Sequence, residues 1–191
     1  PDVKGIAKYG GCPDPDRDHD GIVNEKDNCP DVFGTFAAQG CPDKDGDGVA
    51  DASDKCPDVA GPASNKGCPV VNEEAKKRLA FAARNIQFET GKATIKPVSY
   101  KILDEVASIL KEYPYYDVNV DGHTDNVGKP DKNLQLSKDR AAAAVAYLVS
   151  KGIPANRLVS AGYVDTKPVG DNKTAAGKAQ NRRVEFNLLF K

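Results

Sequence analysis

The chain has 191 residues, a formal net charge of −1 and five cysteines, a size that accommodates one or two domains. Residues 1–70 carry 14 acidic and 7 basic side chains, whereas residues 71–191 carry 14 acidic and 20 basic ones. The basic excess of the second part is too small to indicate a nucleic-acid partner, and no apolar run reaches the roughly 20 residues of a membrane-spanning helix. We therefore expect two modules, of which the acidic one suits cations.

A repeat with a period of 27 residues fills most of the acidic module. The segment DRDHDGIVNEKDNCPDVFGTFAAQGC, residues 16–41, aligns with DKDGDGVADASDKCPDVAGPASNKGC, residues 43–68. Such self-similarity indicates tandem structural units. Residues 1–12, PDVKGIAKYGGC, match the second half of each unit, and the sequence begins at Pro1 and has no Met. We therefore expect a fragment of a longer protein that begins inside a truncated repeat, with Cys before Pro1 and any membrane attachment upstream.

Two cysteines stand twelve residues apart in each complete unit. Pairing within the units predicts the disulfides Cys29–Cys41 and Cys56–Cys68, and it leaves Cys12 without a partner because that partner lies upstream. Pairings across units give no comparable reason for the odd number. Disulfides indicate an oxidising compartment, and they suit a segment that has too few large apolar residues to build a core. Zinc is disfavoured because the spacing lacks a C-x-x-C pair.

Oxygen-bearing side chains recur in both units at positions 1, 3, 5, 9 and 12 of a loop that has Gly at position 6. This is the ligand spacing of an EF-hand calcium loop, although position 12 is Asp and Cys-Pro dipeptides exclude flanking helices. A solvated acidic linker is the alternative, and two matching copies disfavour it. The predicted calcium ligands are Asp16, Asp18, Asp20, the Ile22 carbonyl, Asn24 and Asp27 in the first loop, and Asp43, Asp45, Asp47, the Val49 carbonyl, Asp51 and Asp54 in the second. The pattern resembles thrombospondin type-3 repeats, which implies a stiff, calcium-wrapped spacer.

Residues 71–191 show the alternating helix and strand patterns of an α/β domain. Asn72 is the expected N-cap of the first helix, because its side chain can accept from a free amide of the first turn. The patterns predict helices at 72–84, 98–113, 133–151 and near 174–180, and strands at 85–89, 116–123, 157–163 and 181–190. Counted from the first strand and without the short last helix, the order is β-α-β-α-β-β, and the strands joined by helices are expected to be parallel with right-handed crossovers.

A polar cluster, GHTDNVG, follows the second predicted strand and includes Asp125. Arg140 lies seven residues after Asn133 on the next helix, so the two share one side of it. Ligands of α/β sheets bind in the crevice beyond the strand ends, where helices begin. An Asp and an Arg held apart there can bind a zwitterion, because the carboxylate takes the ammonium and the guanidinium takes the carboxylate. A plain Asp125–Arg140 ion pair is an equally weighted alternative.

The motif series from GHTDNVG to NRRVEF resembles the OmpA-like peptidoglycan-binding domain, which also occurs in Pal-type lipoproteins and flagellar stator proteins. The resemblance covers about residues 80–191. It implies an α/β sandwich with helices on one face of a mixed sheet, and non-covalent binding of the diaminopimelate zwitterion in the peptidoglycan stem. The implied ligand-binding residues are Asp125, Arg140, Thr124, Asn133 and Arg182, with the choice between Arg182 and Arg183 left open. Glu89 and Lys178 stand where the family usually has Asp and Arg.

The expected function is that of a cell-wall anchor on a calcium-stiffened spacer, in the periplasmic portion of a Gram-negative outer-membrane protein. An enzyme is not expected, because the sequence has no H-E-x-x-H motif, the second part has no Cys, and His19 and His123 stand far apart. His123 is expected to be a hydrogen-bonded residue at a strand end. The alternative function is a calcium-dependent adhesion or protein-interaction module. Peptidoglycan is the expected partner, and self-association or association with another protein stays open.

Overall fold

A computed structural model describes Gly5 and residues 7–190. The chain divides into two compact units, Pro1–Val70 and Val71–Lys191. Residues 1–4 and residue 6, at the start of the truncated repeat, and residue 191 lie outside the described residues. No helix among the described residues is long and apolar enough to cross a membrane.

The first unit has little regular structure. Its described residues form two short 3₁₀ helices, Ala7–Tyr9 and Ala63–Asn65, and an isolated β-bridge between Thr35 and Cys41. Both predicted disulfides are present: Cys29–Cys41 and Cys56–Cys68 join Cα atoms 4.9 and 5.0 Å apart. Cys12 is an exposed free thiol. The pairing within each repeat is therefore confirmed.

The second unit is a mixed α/β fold, as predicted. Its strands form one three-stranded sheet in the order β2-β1-β3, with β1 parallel to β2 and antiparallel to β3. The elements are α1 (Glu73–Asn85), α2 (Tyr100–Glu112), β1 (Tyr116–Gly122), α3 (Pro130–Ser150), β2 (Leu158–Gly162), α4 (Ala175–Asn181) and β3 (Val184–Phe190).

Local signals account for where the helices begin. The Asn72 side chain accepts a hydrogen bond of 2.7 Å from the Ala75 amide and caps α1, as an N-cap residue should. Pro130 is the first residue of α3, where a missing N–H costs nothing, so this helix begins three residues before the predicted start. Thr174 caps α4 through the Gly177 amide at 2.9 Å.

The predicted first strand, residues 85–89, is wrong. The segment forms a single isolated bridge, Phe88 with Ile95, and the sheet therefore has three strands rather than four. Its backbone is satisfied within the turn that follows, since Glu89 N donates to Thr94 O at 2.9 Å and Lys96 N to Gln87 O at 2.9 Å. The alternation of apolar residues reflects the burial of Ile86 against the core and not a strand of the sheet.

The core lies on one face of the sheet. Val118 and Val120 of β1 are fully buried in a core cluster that also includes residues of α1, α2 and α3, whereas the alternate residues Asn119 and Asp121 stand opposite Asn187 and Glu185 of β3 on the other face. Arg157, 5% exposed, ties α2 to β1. Its guanidinium donates to the carbonyls of Leu110, Tyr113 and Tyr116 at 2.7–3.0 Å.

Candidate functional site

A cavity of about 750 Å³ opens beside the end of β1. It brings together all five residues that the sequence predicts for the ligand site, namely Thr124, Asp125, Asn133, Arg140 and Arg182. The remaining lining comes mainly from the turn segment that follows α1. The cavity thus lies beyond the strand end and beside the first turns of α3, where α/β folds commonly bind ligands.

Asp125 is the acidic side chain of the cavity, and it is 8% exposed. Its Oδ2 accepts a hydrogen bond of 2.6 Å from Arg182 Nη1, and its Oδ1 accepts one of 3.0 Å from the Val127 amide. Within the described residues no ion pair joins Asp125 to Arg140. The alternative of a plain Asp125–Arg140 salt bridge is therefore not what the structure forms, and both groups face the cavity.

Arg140 is held rigidly and is 5% exposed. Its Nε donates to the Lys92 carbonyl at 3.1 Å, and its guanidinium carbon lies 5.2 Å from the centre of the Phe88 ring. Burial and the nearby Arg182 lower the pKa of Arg140, and Asp125 partly opposes them. Its two terminal nitrogens have no hydrogen-bond partner among the described residues, so they can form a two-pronged contact with a carboxylate.

Two further predicted residues fix the loop that carries Asp125. Asn133 donates from Nδ2 to the carbonyls of Asp125 at 3.3 Å and Val127 at 3.0 Å. Thr124 donates its backbone amide to Val164 O at 2.9 Å. The Thr124 hydroxyl is buried and has no hydrogen-bond partner in the described structure, which leaves a polar group at the cavity wall.

The structure distinguishes the two arginines that the sequence left open. Arg182 lines the cavity, with 45% of its side chain exposed. Arg183 is 5% exposed and contributes to the fold: its Nε donates to Glu185 Oε1 at 2.7 Å and its Nη2 to Lys167 O at 3.0 Å. Register explains the separation, because Gly122 of β1 pairs with Val184 of β3 and so places Arg182 beside Asp125.

Sequence reasoning missed two basic residues of the cavity, Arg84 and Lys96. Arg84 belongs to the last turn of α1, and Lys96 follows the Phe88–Ile95 bridge. The sequence predicts a strand at residues 85–89, directly after Arg84, and no local motif marks either residue. The departures Glu89 and Lys178 do not line the cavity in the described structure.

His123 lies behind the site and is 1% exposed. Its backbone amide donates to Arg183 O at 2.9 Å, but neither ring nitrogen has a hydrogen-bond partner in the described structure. His123 is therefore hydrogen-bonded at the strand end through its backbone only; its ring stacks on Tyr163, with centroids 5.6 Å apart, and its Nε2 lies 3.8 Å from Glu185 Oε2. Burial, with a smaller effect of Arg183, lowers the pKa of His123 to about 4, so the ring is neutral at neutral pH.

The acidic loops of the first unit gather their carboxylates. Oxygens of Asp16, Asp18 and Asp20 lie within 4.8 Å of one another, and Asp43, Asp45 and Asp47 repeat this arrangement. Burial and then repulsion by neighbouring carboxylates raise the pKa of Asp18 and Asp45, although a backbone hydrogen bond opposes them. Such clusters are costly unless a cation neutralises them.

Both acidic loops contain buried carboxylate oxygens that have no hydrogen-bond partner in the described structure. One carboxylate oxygen each of Asp18, Asp27, Asp45 and Asp54 is buried and lacks a hydrogen-bond partner in the described structure. These residues occupy loop positions 3 and 12 of the two repeats. Buried carboxylate oxygens are hard ligands of the kind that Ca²⁺ takes, so the residues present fit the ion.

Remaining predicted ligands help to shape the loops. Asn24 and Asp51, both at position 9, each accept through Oδ1 from a backbone amide at position 2, that of Arg17 at 3.1 Å and that of Lys44 at 2.9 Å. The amides of Ile22 and Val49 donate to the carboxylates two residues earlier at 2.8 Å. The two loops therefore have matching internal hydrogen bonds.

Comparison with known proteins shows what the chain is similar to. The sequence profile of the OmpA family matches residues 87–182. The probable lipoprotein YiaD of Escherichia coli is 44% identical over 104 residues, 54% of this chain and 48% of that protein. Outer membrane porin F of Pseudomonas aeruginosa is 40% identical over 193 residues, 96% of this chain and 46% of that protein.

Two further relatives carry peptidoglycan in their names. The peptidoglycan-binding protein ArfA of Mycobacterium tuberculosis is 38% identical over 101 residues, 53% of this chain and 31% of that protein. The crystal structure of the peptidoglycan-associated lipoprotein from Burkholderia pseudomallei has a TM-score of 0.51 and 26% identity, and the match covers 55% of this chain and 88% of that one. The chain spans about half or less of the length of the curated relatives described here.

Proposed function

The chain belongs to the OmpA family, and on this premise we propose that its second unit binds peptidoglycan through a zwitterionic group of the stem peptide and anchors an outer membrane to the cell wall. Membership of this family confirms the prediction that the chain is not an enzyme. Binding to peptidoglycan is also what the name of the relative ArfA states. A place in the Gram-negative envelope is supported by the match to porin F.

The observation that carries this proposal is the nearly buried Arg140, which lines a cavity together with Asp125 and whose terminal nitrogens have no hydrogen-bond partner among the described residues. A carboxylate of the ligand takes the two-pronged contact with Arg140. The ammonium on the same carbon approaches Asp125 beside Arg182, because a carboxylate offers about four acceptor sites. The pre-formed Arg140–Phe88 and Arg140–Lys92 contacts spare the ligand the entropic cost of ordering that side chain.

Diaminopimelate is the stem residue with this chemistry, since its side chain ends in an ammonium and a carboxylate on one carbon. Lysine in the same position offers the ammonium alone. Isothermal titration calorimetry with two soluble stem peptides, one with diaminopimelate and one with lysine, tests the assignment. We expect the lysine peptide to bind at least about tenfold more weakly, because it leaves Arg140 without its carboxylate. Equal affinity for the two peptides would contradict the proposal.

We also propose that the first unit binds calcium and serves as a stiffened spacer. The buried, unpartnered oxygens of Asp18, Asp27, Asp45 and Asp54 support it. With calcium bound, each loop has its negative charge neutralised and its residues fixed around the ion. The proposed ligands are Asp16, Asp18, Asp20, Ile22, Asn24 and Asp27, and Asp43, Asp45, Asp47, Val49, Asp51 and Asp54.

Calcium titration of the full chain tests the spacer proposal. Asp18→Asn combined with Asp45→Asn should weaken calcium binding, because each substitution removes the charge of a proposed ligand that has one buried oxygen. Glu25→Gln is the matched control, since Glu25 is an exposed acidic residue of the first loop outside the ligand set. The proposal fails if wild type and the double variant bind calcium equally, or if wild type does not bind it at all.

One observation favours the alternative of a calcium-dependent interaction module. Phe33 and Phe36 are 66% and 87% exposed in the loop closed by Cys29–Cys41, where the second repeat has Ala60 and Ala63. Exposed aromatic residues are common at protein contacts. Binding to a protein partner that depends on calcium and survives the loss of Arg140 would support this function beside wall anchoring.

A further inference from the structure

The cavity of the second unit has more basic side chains than one bound zwitterion can neutralise. Arg84, Lys96, Arg140 and Arg182 line it, against Asp125 alone. Asp125 already pairs with Arg182, and a zwitterion adds one positive and one negative charge. After such a ligand has bound Arg140 and Asp125, Arg84 and Lys96 remain without an anion.

We propose that Arg84 and Lys96 form a second anion subsite, which takes a further free carboxylate of the same stem peptide. This inference rests on the proposed binding of a stem peptide in the cavity. It makes the preferred ligand a peptide with at least two free carboxylates, one on the zwitterionic side chain and one elsewhere in the stem.

Backbone hydrogen bonds tie the segment that carries Lys96 to the chain that follows Arg84. Lys96 N donates to Gln87 O at 2.9 Å, and Gln87 N donates to Ser99 Oγ at 2.7 Å. Lys96 is thereby fixed next to the chain that leaves α1 three residues after Arg84. Gln87 and Phe88, which stand between Arg84 and Lys96 in the sequence, also line the cavity, so an extended peptide lying over this segment can contact both cations.

Neither cation is committed to the protein. In the described part of the chain, Arg84 and Lys96 have no carboxylate within 4.0 Å, whereas the surface lysines Lys44, Lys76 and Lys151 each pair with one. Lys96 is also half-buried, and an unpaired ammonium in such a place loses hydration. A carboxylate from the ligand would restore a partner to it.

The stem offers two candidate carboxylates, the α-carboxylate of its glutamate and the terminal carboxylate of an uncrosslinked peptide. Both present the same chemistry to Arg84 and Lys96. If the terminal one is used, the site prefers stems that are not crosslinked. If the glutamate one is used, crosslinking leaves the subsite contact intact.

Calorimetry with three stem tetrapeptides tests the subsite: one with both carboxylates free, one amidated at glutamate and one amidated at the terminus. Arg84→Gln and Lys96→Gln should each lower the affinity for the fully free peptide by about three- to fivefold, as expected for the loss of a solvent-accessible ion pair. One of the two amidated peptides lacks the carboxylate that Arg84 and Lys96 bind. Wild type should bind that peptide more weakly than the fully free one, and neither substitution should change the affinity for it. Lys111→Gln, an exposed cation of α2 outside the cavity, should affect none of the three.

The outcomes separate this inference from the function on which it rests. If wild type binds no stem peptide, the proposed function fails and the subsite with it. If wild type binds all three peptides equally and neither substitution matters, the zwitterion site stands and the second subsite is refuted. If Arg84→Gln and Lys96→Gln weaken all three peptides by the same factor, the cations act through the general charge of the cavity, and a specific carboxylate contact is likewise refuted.

Discussion

Arg140→Lys separates a two-pronged carboxylate contact from a simple positive charge. Lysine keeps the charge but loses the Nε bond to the Lys92 carbonyl, the stacking on Phe88 and the two parallel N–H groups. If the ligand carboxylate loses one charge-assisted hydrogen bond, binding weakens by about 1.5–3 kcal/mol. This corresponds to about 10- to 150-fold in the dissociation constant.

Calorimetric titration of wild type and Arg140→Lys with a diaminopimelate stem peptide measures this effect. Arg78→Lys is the matched control, because Arg78 is an arginine of α1 outside the cavity. Thermal unfolding of each variant shows whether the fold is kept. An Arg140→Lys affinity within about twofold of wild type would refute the two-pronged contact and leave Arg140 as a structural residue.

Three further predictions concern stability. Arg157→Met should destabilise the second unit by about 3 kcal/mol in urea unfolding, because it removes the hydrogen bonds from a buried guanidinium to three carbonyls, at about 1 kcal/mol for each carbonyl; a loss below about 1 kcal/mol would contradict this. The pKa of His123 is about 4 in the folded chain, below its usual 6.5, so the unfolded chain takes up the proton first and stability falls as pH drops from about 6.5 to 4, by up to about 3 kcal/mol. His123→Phe should lose this part of the pH dependence in urea titrations followed by far-ultraviolet circular dichroism, and an unchanged slope would exclude the assignment. Chelation of calcium should expose residues 14–68 to limited proteolysis and spare residues 73–190, because the second unit has its own apolar core; cleavage that is insensitive to chelator would argue against the calcium-stiffened spacer.

Features with a local cause could be predicted from the sequence. The Asn72 cap, the buried alternation of Val118 and Val120 and the within-repeat disulfides each follow from residues that stand close together in the chain. Period and capping chemistry operate over one or two turns, and such short-range physics is visible in one sequence.

Features that depend on distant partners could not be predicted in the same way. Residues 85–89 alternate like a strand, yet the pairing partner of Phe88 is Ile95 in the following turn and not a strand of the sheet. The Asp125–Arg182 pair joins residues 57 positions apart, and it exists because of the register between β1 and β3. From spacing alone, Arg140 was the nearer candidate for that pair. Arg84 and Lys96 also line the cavity because of the tertiary fold, and no sequence motif marks their segment.

Co-sedimentation of the full chain with purified peptidoglycan sacculi tests the central claim most directly. Wild type should sediment, and Asp125→Ala and Arg140→Ala should each stay in the supernatant while keeping the helical circular dichroism of the second unit. Lys111→Ala should sediment like wild type, since it removes a charge outside the cavity. If wild type stays in the supernatant, or if folded Asp125→Ala and Arg140→Ala sediment as well as wild type, the Asp125–Arg140 cavity is not the site that binds the cell wall.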